Sequence, residues 1–388
     1  MATSVPSTLT AFLLPYAEHY RAHGWRVEAA SHGAPDDPVC VQAFDAVHHV
    51  PWTRRPGDPA NVLAAPRRIR SLVRAGGFHI VHVHDPIAAF VTRFALRRLR
   101  QQSGLRVVYT AHGFHFFPGN AWQRNLVFGG LERVAAAWTD ALVVINEEDE
   151  RAAMRFPFDA AARVQRMPGI GVDTARYDPD LVTDEEVAAV RHELGLQPGQ
   201  QLLLMVAELN PGKRHRDAIA ALAASGRNDV VLAFAGEGPE ANALRHQATT
   251  AGVADRVVQL GYRNDVPVLL RASFALILPS EREGLPRCIM EAACLERPVV
   301  ATRIRGVREL VGPETGILAD VGDVEALAAA IRFLVDHPDQ GFAMGRAGRR
   351  SMRRFDLRNV LRLHDELYGR LLDDGAATAS TRSSRANG

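Results

Sequence analysis

The chain has 388 residues and a mass of 42.4 kDa, a length that suits two domains better than one. Hydrophobic residues make up 47% and charged residues 23% of the sequence, a balance that excludes disordered, collagen-like and fibrous proteins. The formal net charge is +2, but residues 51–106 contain eleven arginines against two aspartates and therefore carry +9, which predicts an anionic partner near this segment.

The cysteine content and the apolar runs predict the compartment. Cys40, Cys288 and Cys294 are too few, and odd in number, for a disulfide framework. No apolar run reaches the roughly 18 residues that span a bilayer, and the first twenty residues lack the basic start and cleavage site of a secretory signal. We therefore expect a cytoplasmic protein that is neither secreted nor transmembrane.

Short β-branched runs alternate with amphipathic helical patterns along the first half of the chain. Helices are predicted at 86–100 and 121–138, and strands at 25–30, 79–83, 106–110, 141–145 and 163–167. A further strand is expected before the first helix. Because only residues 1–5 are available for it, this first strand is predicted to be very short or partly missing.

The segment 168–182 is rich in Gly, Pro and Asp and is the best candidate for a linker. The alternation restarts after it, with strands predicted at 201–206, 230–235, 256–260, 274–278 and 298–301. This order predicts an α/β protein with two doubly wound, Rossmann-like parallel sheets that face each other across a cleft. The predicted domains are 1–170 and 171–355, followed by a helix at 356–374 that returns to the first domain and a disordered tail at 375–388.

The run SEREGLPRCIMEAACLERPVVAT, residues 280–302, is the strongest chemical signal. A buried strand leads into a polar loop, and Gly284, Leu285 and the following proline open a helix whose free N–H groups suit a diphosphate. Glu283 and Glu291 are eight residues apart, about 12 Å if both were helical, which approximates a nucleotide diphosphate from sugar to ribose. Two solvated acids would explain the same spacing.

Three other loops that follow strands add to this signal. Lys213, the only lysine of the chain, lies in a Gly/Pro loop where an ammonium can reach a phosphate. Gly236 and Gly238 form a turn that lets a ligand approach the backbone, although the third glycine of a dinucleotide fingerprint is absent. Tyr262 and Arg263 follow another strand, where a base could lie against them or the tyrosine could pack on the next helix.

These motifs, together with TAHGFHFF upstream, resemble the retaining family-4 glycosyltransferases of the GT-B fold, closest to the bacterial subgroup that builds surface glycans. The resemblance covers about residues 5–370 and rests on five ordered motifs. It implies that Glu283 contacts the donor sugar, that Glu291 contacts the ribose and that Lys213 binds the phosphates. Many members carry an arginine five residues before that lysine, where this chain has Glu208.

The N-terminal half contributes the other side of the predicted site. His112 follows a strand, where a side chain faces the crevice of a parallel sheet, and the resemblance implies that it contacts the donor sugar as a catalytic residue together with Glu283. His115 is a weaker candidate, because a histidine that merely packs against its neighbours or faces solvent would be equally consistent with the sequence. Ser7 and Thr8 stand where related enzymes have a glycine-rich turn, and they are candidates for contact with the diphosphate or acceptor.

Two patterns suggest metal sites. His82 and His84 lie on one face of a strand as in some metal hydrolases, but Pro86 and the residue after it occupy the places where further ligands are needed. Asp178 and Asp180 follow no apolar strand. We expect that the two histidines simply lie at the end of a strand and that the two aspartates lie in the linker. The sequence therefore predicts no metal and no cofactor.

The sequence therefore predicts metal-independent transfer of a sugar from a nucleotide-diphosphate sugar, uridine-linked, to a hydroxyl acceptor that is a glycan, a lipid-linked glycan or a small molecule. A nucleotide-sugar 2-epimerase of the same architecture and a non-catalytic nucleotide-sugar-binding protein are the alternatives. The helix at 86–100 would suit either a core position or the surface of an anionic membrane. No nucleic-acid-binding module is found.

Overall fold

The structure, a computed structural model, describes residues 1–53, 55, 57–117 and 119–386. It divides into two compact units, one formed by Met1–Ile170 with the chain from Asn359 onward and the other by Gly171–Arg358. Both are mixed α/β with parallel strands, as the sequence predicts.

The first unit is built on two small parallel sheets, β1–β2 and β3–β4–β5–β6. Its strands are β1 (Glu28–Ser31), β2 (Ala46–His49), β3 (Ile80–Val83), β4 (Arg106–Ala111), β5 (Ala141–Val144) and β6 (Val164–Arg166). Strand β2 is absent from the sequence-based prediction.

Ala2 joins these two sheets, because it bridges Ala30 of β1 and Val83 of β3, both in parallel. Its N–H donates to the His82 carbonyl at 2.8 Å and its carbonyl accepts from His84 N–H at 3.1 Å. The predicted first strand is thus a single bridge. Toward the amino ends of β1 and β3 lies a cavity of about 90 Å³ lined by apolar side chains of both strands and by Trp25, Phe78 and Tyr368.

Helices cover the sheets of the first unit. They are α1 (Pro6–Thr8), α2 (Leu14–Ala22), α3 (Pro38–Ala43), α4 (Ala65–Gly76), α5 (Pro86–Ser103), α6 (Trp122–Ala136), α7 (Glu147–Ala153) and α8 (Ala160–Arg163), with π-helical turns at Leu9–Leu13 and Ala60–Ala64.

Helix α5 is a core helix, although its sequence would also suit a membrane surface. Several of its apolar residues, among them Val91 and Leu96, are buried. Arg93 is buried as well; its guanidinium pairs with Glu132 at 2.9 Å and lies over the ring of Tyr109. A helix whose apolar side already packs in the core cannot also offer that side to a lipid surface. Among the described residues, no helix combines the length and the apolarity needed to cross a membrane.

The second unit contains one six-stranded parallel sheet in the order β12–β11–β10–β7–β8–β9. Its strands are β7 (Gln201–Val206), β8 (Val230–Ala235), β9 (Val257–Gly261), β10 (Ser273–Leu278), β11 (Val299–Thr302) and β12 (Gly316–Ala319). Strand β12 is the one that the sequence-based prediction omits. The first strand in sequence, β7, lies at the centre beside β10, so the direction of winding reverses between these two strands.

The helices of the second unit pack on both faces of this sheet. They are α9 (Asp184–Glu193), α10 (His215–Ser225), α11 (Ala241–Thr250), α12 (Val266–Ala272), α13 (Arg287–Cys294), α14 (Val307–Leu310), α15 (Val324–Asp336) and α16 (Pro338–Ser351).

The C-terminal helix α17 (Leu357–Ala386) belongs to the first unit from Asn359 onward. Its Tyr368 is buried, and the Tyr368 hydroxyl forms a hydrogen bond with Nδ1 of His82. The described backbone is helical through 375–386, whereas the sequence predicts a disordered tail there. Residues 387–388 of the predicted tail lie outside the described residues.

Candidate active site

Lys213 and Glu283 meet at the winding reversal of the second unit. Lys213 lies in the loop after β7 and Glu283 in the loop after β10, and these strands are neighbours. The carboxyl ends of parallel strands at such a reversal form the usual ligand crevice of an open α/β sheet. The Nζ of Lys213 is 2.6 Å from Oε1 of Glu283, so a cation and a carboxylate are already joined there.

A tight turn fixes the backbone at Lys213. The 3₁₀ turn Pro211–Lys213 is capped by Asn210, whose Oδ1 accepts from the Lys213 N–H at 3.2 Å. Arg214 has a φ of 55°, so the chain turns sharply before α10 begins at His215. The lysine therefore precedes the helix by two residues and is held by its own loop.

The surroundings of Lys213 keep it protonated. Burial alone would lower the pKa of its ammonium, but the Glu283 carboxylate and its hydrogen bond raise that pKa above the ordinary value. The neighbouring Cys288 thiol responds in the opposite way, because burial and the Glu283 charge raise its pKa to about 12. Lys213 is therefore protonated, and the neighbouring thiol is neutral.

Helix α13 begins at Arg287, later than the sequence predicts. Pro286 is its N-cap residue with extended backbone, and the Ile289 N–H donates to the Pro286 carbonyl at 3.2 Å. Gly284 and Leu285 therefore lie in the loop before the helix, and Leu285 packs partly on the core. Glu283 lies before the helix, as the sequence predicts, so the rise calculated for eight helical residues does not apply to the Glu283–Glu291 separation.

Glu291 lies within α13 and is 7% exposed. Its Oε1 accepts a hydrogen bond from the Tyr177 hydroxyl at 2.7 Å and pairs with Nε of Arg287 at 2.8 Å. Burial and the adjacent Glu291 charge raise the pKa of the Tyr177 phenol above its ordinary value. The carboxylate is thus held in one position by a neutral donor and a cation.

The predicted glycines bring loops together. A Cβ at Gly236 would lie 2.0 Å from the Ala207 carbonyl oxygen, and one at Gly238 would lie 2.4 Å from that of Leu209. These glycines therefore allow the loops after β7 and β8 to touch. The group that approaches them closely is backbone of the same unit, where the sequence predicts a ligand. Gly306 does the same beside Glu283, since its Cβ would lie 1.9 Å from the Gly284 oxygen.

Tyr262 and Arg263 differ in how far their side chains are free to contact a ligand. Tyr262 is 73% exposed, so it does not pack on the next helix. The guanidinium of Arg263 is held by both Glu193 and Asp265, and their hydrogen bonds raise its pKa above the ordinary value. The tyrosine ring is open to a ligand, whereas the arginine is engaged within the protein.

In the first unit, His112 follows β4 and His84 follows β3, and these strands pair in parallel. The two imidazoles lie nearly parallel with centroids 5.4 Å apart, and Nδ1 of His84 is 3.2 Å from Nε2 of His112. His84 is buried, whereas His112 is half-buried. The sequence-predicted histidine is thus joined to a second histidine at the carboxyl edge of the sheet.

His82 continues this row into the core. Its ring stacks on that of His84 with centroids 4.2 Å apart. Its Nε2 hydrogen bonds with Thr110 Oγ1 at 2.7 Å and its Nδ1 with the Tyr368 hydroxyl at 2.5 Å. Burial lowers the pKa of His82, His84 and His112, although the Asp85 charge partly opposes this at His112. The rings are therefore neutral near pH 7.

The remaining candidates lie apart from these contacts. His115 is half-buried with its ring 5.2 Å from that of Phe128. Ser7 and Thr8 form part of the short helix α1, where Ser7 is exposed. Asp178 caps a 3₁₀ turn and pairs with Arg349 at 3.0 Å. Within the described part of the chain, no group of three or more histidines, cysteines or carboxylates is arranged to hold a metal ion.

Several contributors to these contacts are missing from the sequence-based prediction. Arg287 had a usable signal, because it stands four residues before Glu291 on a helix. His84 also has one, since it follows a neighbouring strand as His112 does, although its spacing from His82 suggests only a metal ligand. Tyr177 and Tyr368 are far away in sequence, and no local pattern relates them to their partners.

Sequence comparison matches each unit to a family model. Residues 8–169 match the glycosyl transferase 4-like domain and residues 187–351 match glycosyl transferases group 1. The candidate glycosyltransferase EpsD of Bacillus subtilis is 32% identical over 366 residues, which is 94% of each chain. The UDP-Gal:alpha-D-GlcNAc-diphosphoundecaprenol alpha-1,3-galactosyltransferase of Escherichia coli is 28% identical over 271 residues, 68% of each chain.

Comparison with solved structures gives the fold. The Anabaena protein Alr3699/HepE, crystallised in complex with UDP and glucose, superposes with a TM-score of 0.79 at 20% identity and covers 95% of this chain and 98% of its own. WaaG, a glycosyltransferase involved in lipopolysaccharide biosynthesis, superposes with a TM-score of 0.75 at 18% identity, over 95% of this chain and 98% of its own. The chain therefore has the GT-B fold.

Proposed function

The chain belongs to the glycosyl transferases group 1 family and is a glycosyltransferase, and from this premise we propose that it transfers a sugar from a uridine-diphosphate sugar to a hydroxyl group of a glycan or lipid-linked glycan, with retention of configuration. The observation that carries the proposal is the Lys213–Glu283 pair at the winding reversal of the second unit. A cation for the diphosphate and an acceptor for sugar hydroxyls stand side by side there.

The diphosphate requires positive charge, since its own charge grows as the bond to the sugar breaks. Lys213 supplies an ammonium whose raised pKa keeps it protonated. Glu208 stands where many family members carry an arginine, but Arg305 adds a guanidinium beside the same loop, with Nε donating to the Glu283 carbonyl at 3.4 Å. The two cations together suit a leaving diphosphate.

The carboxylates suit the two ends of the donor. Glu283 is 9% exposed, and a carboxylate accepts hydrogen bonds from sugar hydroxyls. Glu291 is held rigidly by Tyr177 and Arg287 and suits the hydroxyls of a ribose. The exposed ring of Tyr262 suits a base that lies flat against it.

Retention needs attack on the face that the leaving group departs from. The bond between the anomeric carbon and the diphosphate oxygen breaks, the bond to the acceptor oxygen forms, and the departing diphosphate takes the acceptor proton. No protein nucleophile is needed for this step, and the protein stabilises the separated charges. His112 in the first unit is the proposed contact to the sugar at the reacting end.

The acceptor class is supported by relatives. The Escherichia coli relative acts on a diphosphoundecaprenol-linked sugar, as its name states, and we propose an acceptor of the same kind, a hydroxyl of a lipid-linked or free glycan. The exposed arginines of the segment 51–106, among them Arg67, Arg68, Arg74 and Arg98, suit an acceptor that carries a diphosphate. A peripheral contact with the cytoplasmic membrane face would bring enzyme and acceptor together, through a surface other than the apolar side of α5.

The test is a panel of nucleotide sugars, measured first by thermal shift and then by release of nucleotide with and without glycan acceptors. The proposal expects stabilisation by a uridine-diphosphate sugar, acceptor-dependent release, and an α-linked product from an α-linked donor. Glu283→Gln should abolish release, whereas Glu281→Gln, at an exposed neighbour, should not. Conversion of the donor without any acceptor would indicate an epimerase instead, and an inverted product would exclude retention.

A further inference from the structure

The histidine row of the first unit ends at His112, and we propose that His84 is a positioning residue that fixes the tautomer of His112, with the proton on Nδ1 and a bare Nε2. The inference deepens the proposed function, because it rests on His112 being the group that contacts the sugar. It concerns how that ring is oriented and protonated.

The hydrogen bond between the rings of His84 and His112 requires one proton between their two nitrogens. Nδ1 of His84 and Nε2 of His112 are 3.2 Å apart, so one nitrogen donates and the other accepts. Burial lowers the pKa of both rings, and each is therefore neutral with a single N–H. Two arrangements remain, and they differ in which ring donates.

The far nitrogen of His84 decides between them. Nε2 of His84 is enclosed and has no hydrogen-bond partner among the described residues. If His112 were the donor, neutral His84 would have to carry its own proton on Nε2, as a buried N–H without an acceptor. If His84 donates from Nδ1, its Nε2 is a bare lone pair. Orphaned buried N–H groups are rarer than under-satisfied acceptors, so the second arrangement is favoured.

The row behind His84 prevents the ring from turning over. His84 is 4% exposed and stacks on His82 at 4.2 Å. His82 is itself held at both nitrogens by Thr110 and Tyr368. A flipped His84 would exchange its nitrogens and lose the contact with His112, without gaining a partner for the other nitrogen.

The consequence concerns the chemistry that His112 can perform. Its Nε2 is occupied as an acceptor from His84, and neutral imidazole then carries its only proton on Nδ1. His112 is therefore set up to donate a hydrogen bond to a sugar oxygen. It is not set up to act as a general base through Nε2.

The tautomer can be read directly by long-range ¹H–¹⁵N correlation spectra of the full chain labelled with ¹⁵N-histidine. The signals of His112 among the 15 histidines are identified by their loss in His112→Gln. We expect a protonated Nδ1 and an unprotonated Nε2 near pH 7. A protonated Nε2, or a cationic ring, would overturn the proposal, and this measurement needs no substitution at His84.

Two substitutions at His84 separate donation from packing. His84→Phe keeps a ring but removes the donor, and His112 should then become a mixture of tautomers. His84→Asn retains an N–H near the position of Nδ1 and should preserve the tautomer. The matched control is Tyr368→Phe, which removes the partner of His82 but not that of His112, and it should leave the His112 signals unchanged. An unchanged tautomer in His84→Phe would refute the positioning role.

Turnover then distinguishes the inference from the proposed function. His84→Phe should lower kcat roughly tenfold, the effect of about one hydrogen bond, with a smaller change in donor KM and partial recovery in His84→Asn. If the tautomer shifts in His84→Phe while kcat stays at the wild-type value, His84 does position His112, but His112 does not act at the sugar. The proposed function would then need another residue at that place.

Discussion

The ammonium of Lys213 lies 2.6 Å from a carboxylate oxygen of Glu283, although 70 residues separate them in sequence. The sequence assigns them to different parts of a donor, the phosphates and the sugar. Strand order brings them together, because β7 and β10 are neighbours at the winding reversal. A ligand diphosphate would thus meet an ammonium already oriented by a carboxylate.

Replacing Lys213 with methionine should lower kcat/KM for nucleotide release roughly 100-fold, because a preorganised positive charge is lost where the leaving group gains negative charge. The free energy of unfolding should fall by about 2 kcal/mol, since Glu283 loses its partner in a partly buried position. Initial rates and urea unfolding measure the two effects.

Arg216→Met is the matched control for Lys213→Met. It removes a cation three residues away that is 46% exposed and pairs only loosely with Asp217. Its kcat/KM should remain within about twofold of the wild type. Equal losses in the two variants would mean that general charge, rather than the position of Lys213, matters to turnover.

The strands were largely predictable, and the two omissions share a cause. Hydrophobic runs such as 201–206 and 230–235 are buried on both faces, so composition alone reveals them. Strand β2 consists of only Ala46–His49, includes two histidines and is not buried, and β12 is a four-residue edge strand. Short edge strands receive much of their stability from one neighbour, which no local pattern encodes.

The sequence predicts where the candidate residues lie in the fold but not which of them touch. A position after a strand identifies Lys213, Glu283 and His112, since strand ends are where ligands bind in parallel sheets. Which strand ends are adjacent depends on strand order. The predicted start of α13 is wrong, because the sequence predicts Gly284 and Pro286 in the first turn, whereas Pro286 is the extended N-cap.

Replacing Tyr177 with phenylalanine should raise the KM for the donor about fivefold with a smaller change in kcat. The hydroxyl donates to Glu291 at 2.7 Å in a buried position, and losing one such hydrogen bond costs about 1 kcal/mol. Glu291 would keep its contact with Arg287 but would be less well oriented. Initial rates against donor concentration measure the change.

Tyr16→Phe provides the comparison for Tyr177→Phe. Tyr16 is a buried tyrosine of the first unit whose hydroxyl donates to the Ile170 carbonyl at 3.1 Å. Losing this hydrogen bond should lower the free energy of unfolding by about 1 kcal/mol and leave the donor KM unchanged. A donor KM that is unaltered in Tyr177→Phe would argue against Glu291 as a donor-binding residue.

Gly306→Ala should be strongly destabilising and should also reduce turnover. Gly306 has a φ of 72°, and a Cβ there would lie 1.9 Å from the Gly284 oxygen. The loops at 283–285 and 303–306 would have to separate, at a cost of about 2–4 kcal/mol. Gly312→Ala, where a Cβ would have no atom within 4 Å, should have little effect. Thermal unfolding and donor turnover of both variants test this, and equal behaviour would show that the close approach does not matter.

Buried histidines should make the protein less stable as the pH falls from 6.5 to 5. Burial lowers the pKa of His364 to about 4, against which its hydrogen bond to the Val360 carbonyl acts only in part. Burial and the Lys213 charge lower the pKa of His215 to about 4. The unfolded chain binds protons at these histidines below pH 6.5 while the folded chain does not, so protonation favours unfolding in this range.

The expected loss is about 2 kcal/mol for each such histidine between pH 6.5 and 5, a range chosen because most carboxylates remain ionised there. Urea unfolding at pH 7, 6 and 5 measures it. His364→Gln should show a shallower dependence on pH than the wild type, because glutamine does not titrate, while its stability at pH 7 changes less. A wild-type protein that is as stable at pH 5 as at pH 7 would mean that these rings gain compensating partners when they are protonated.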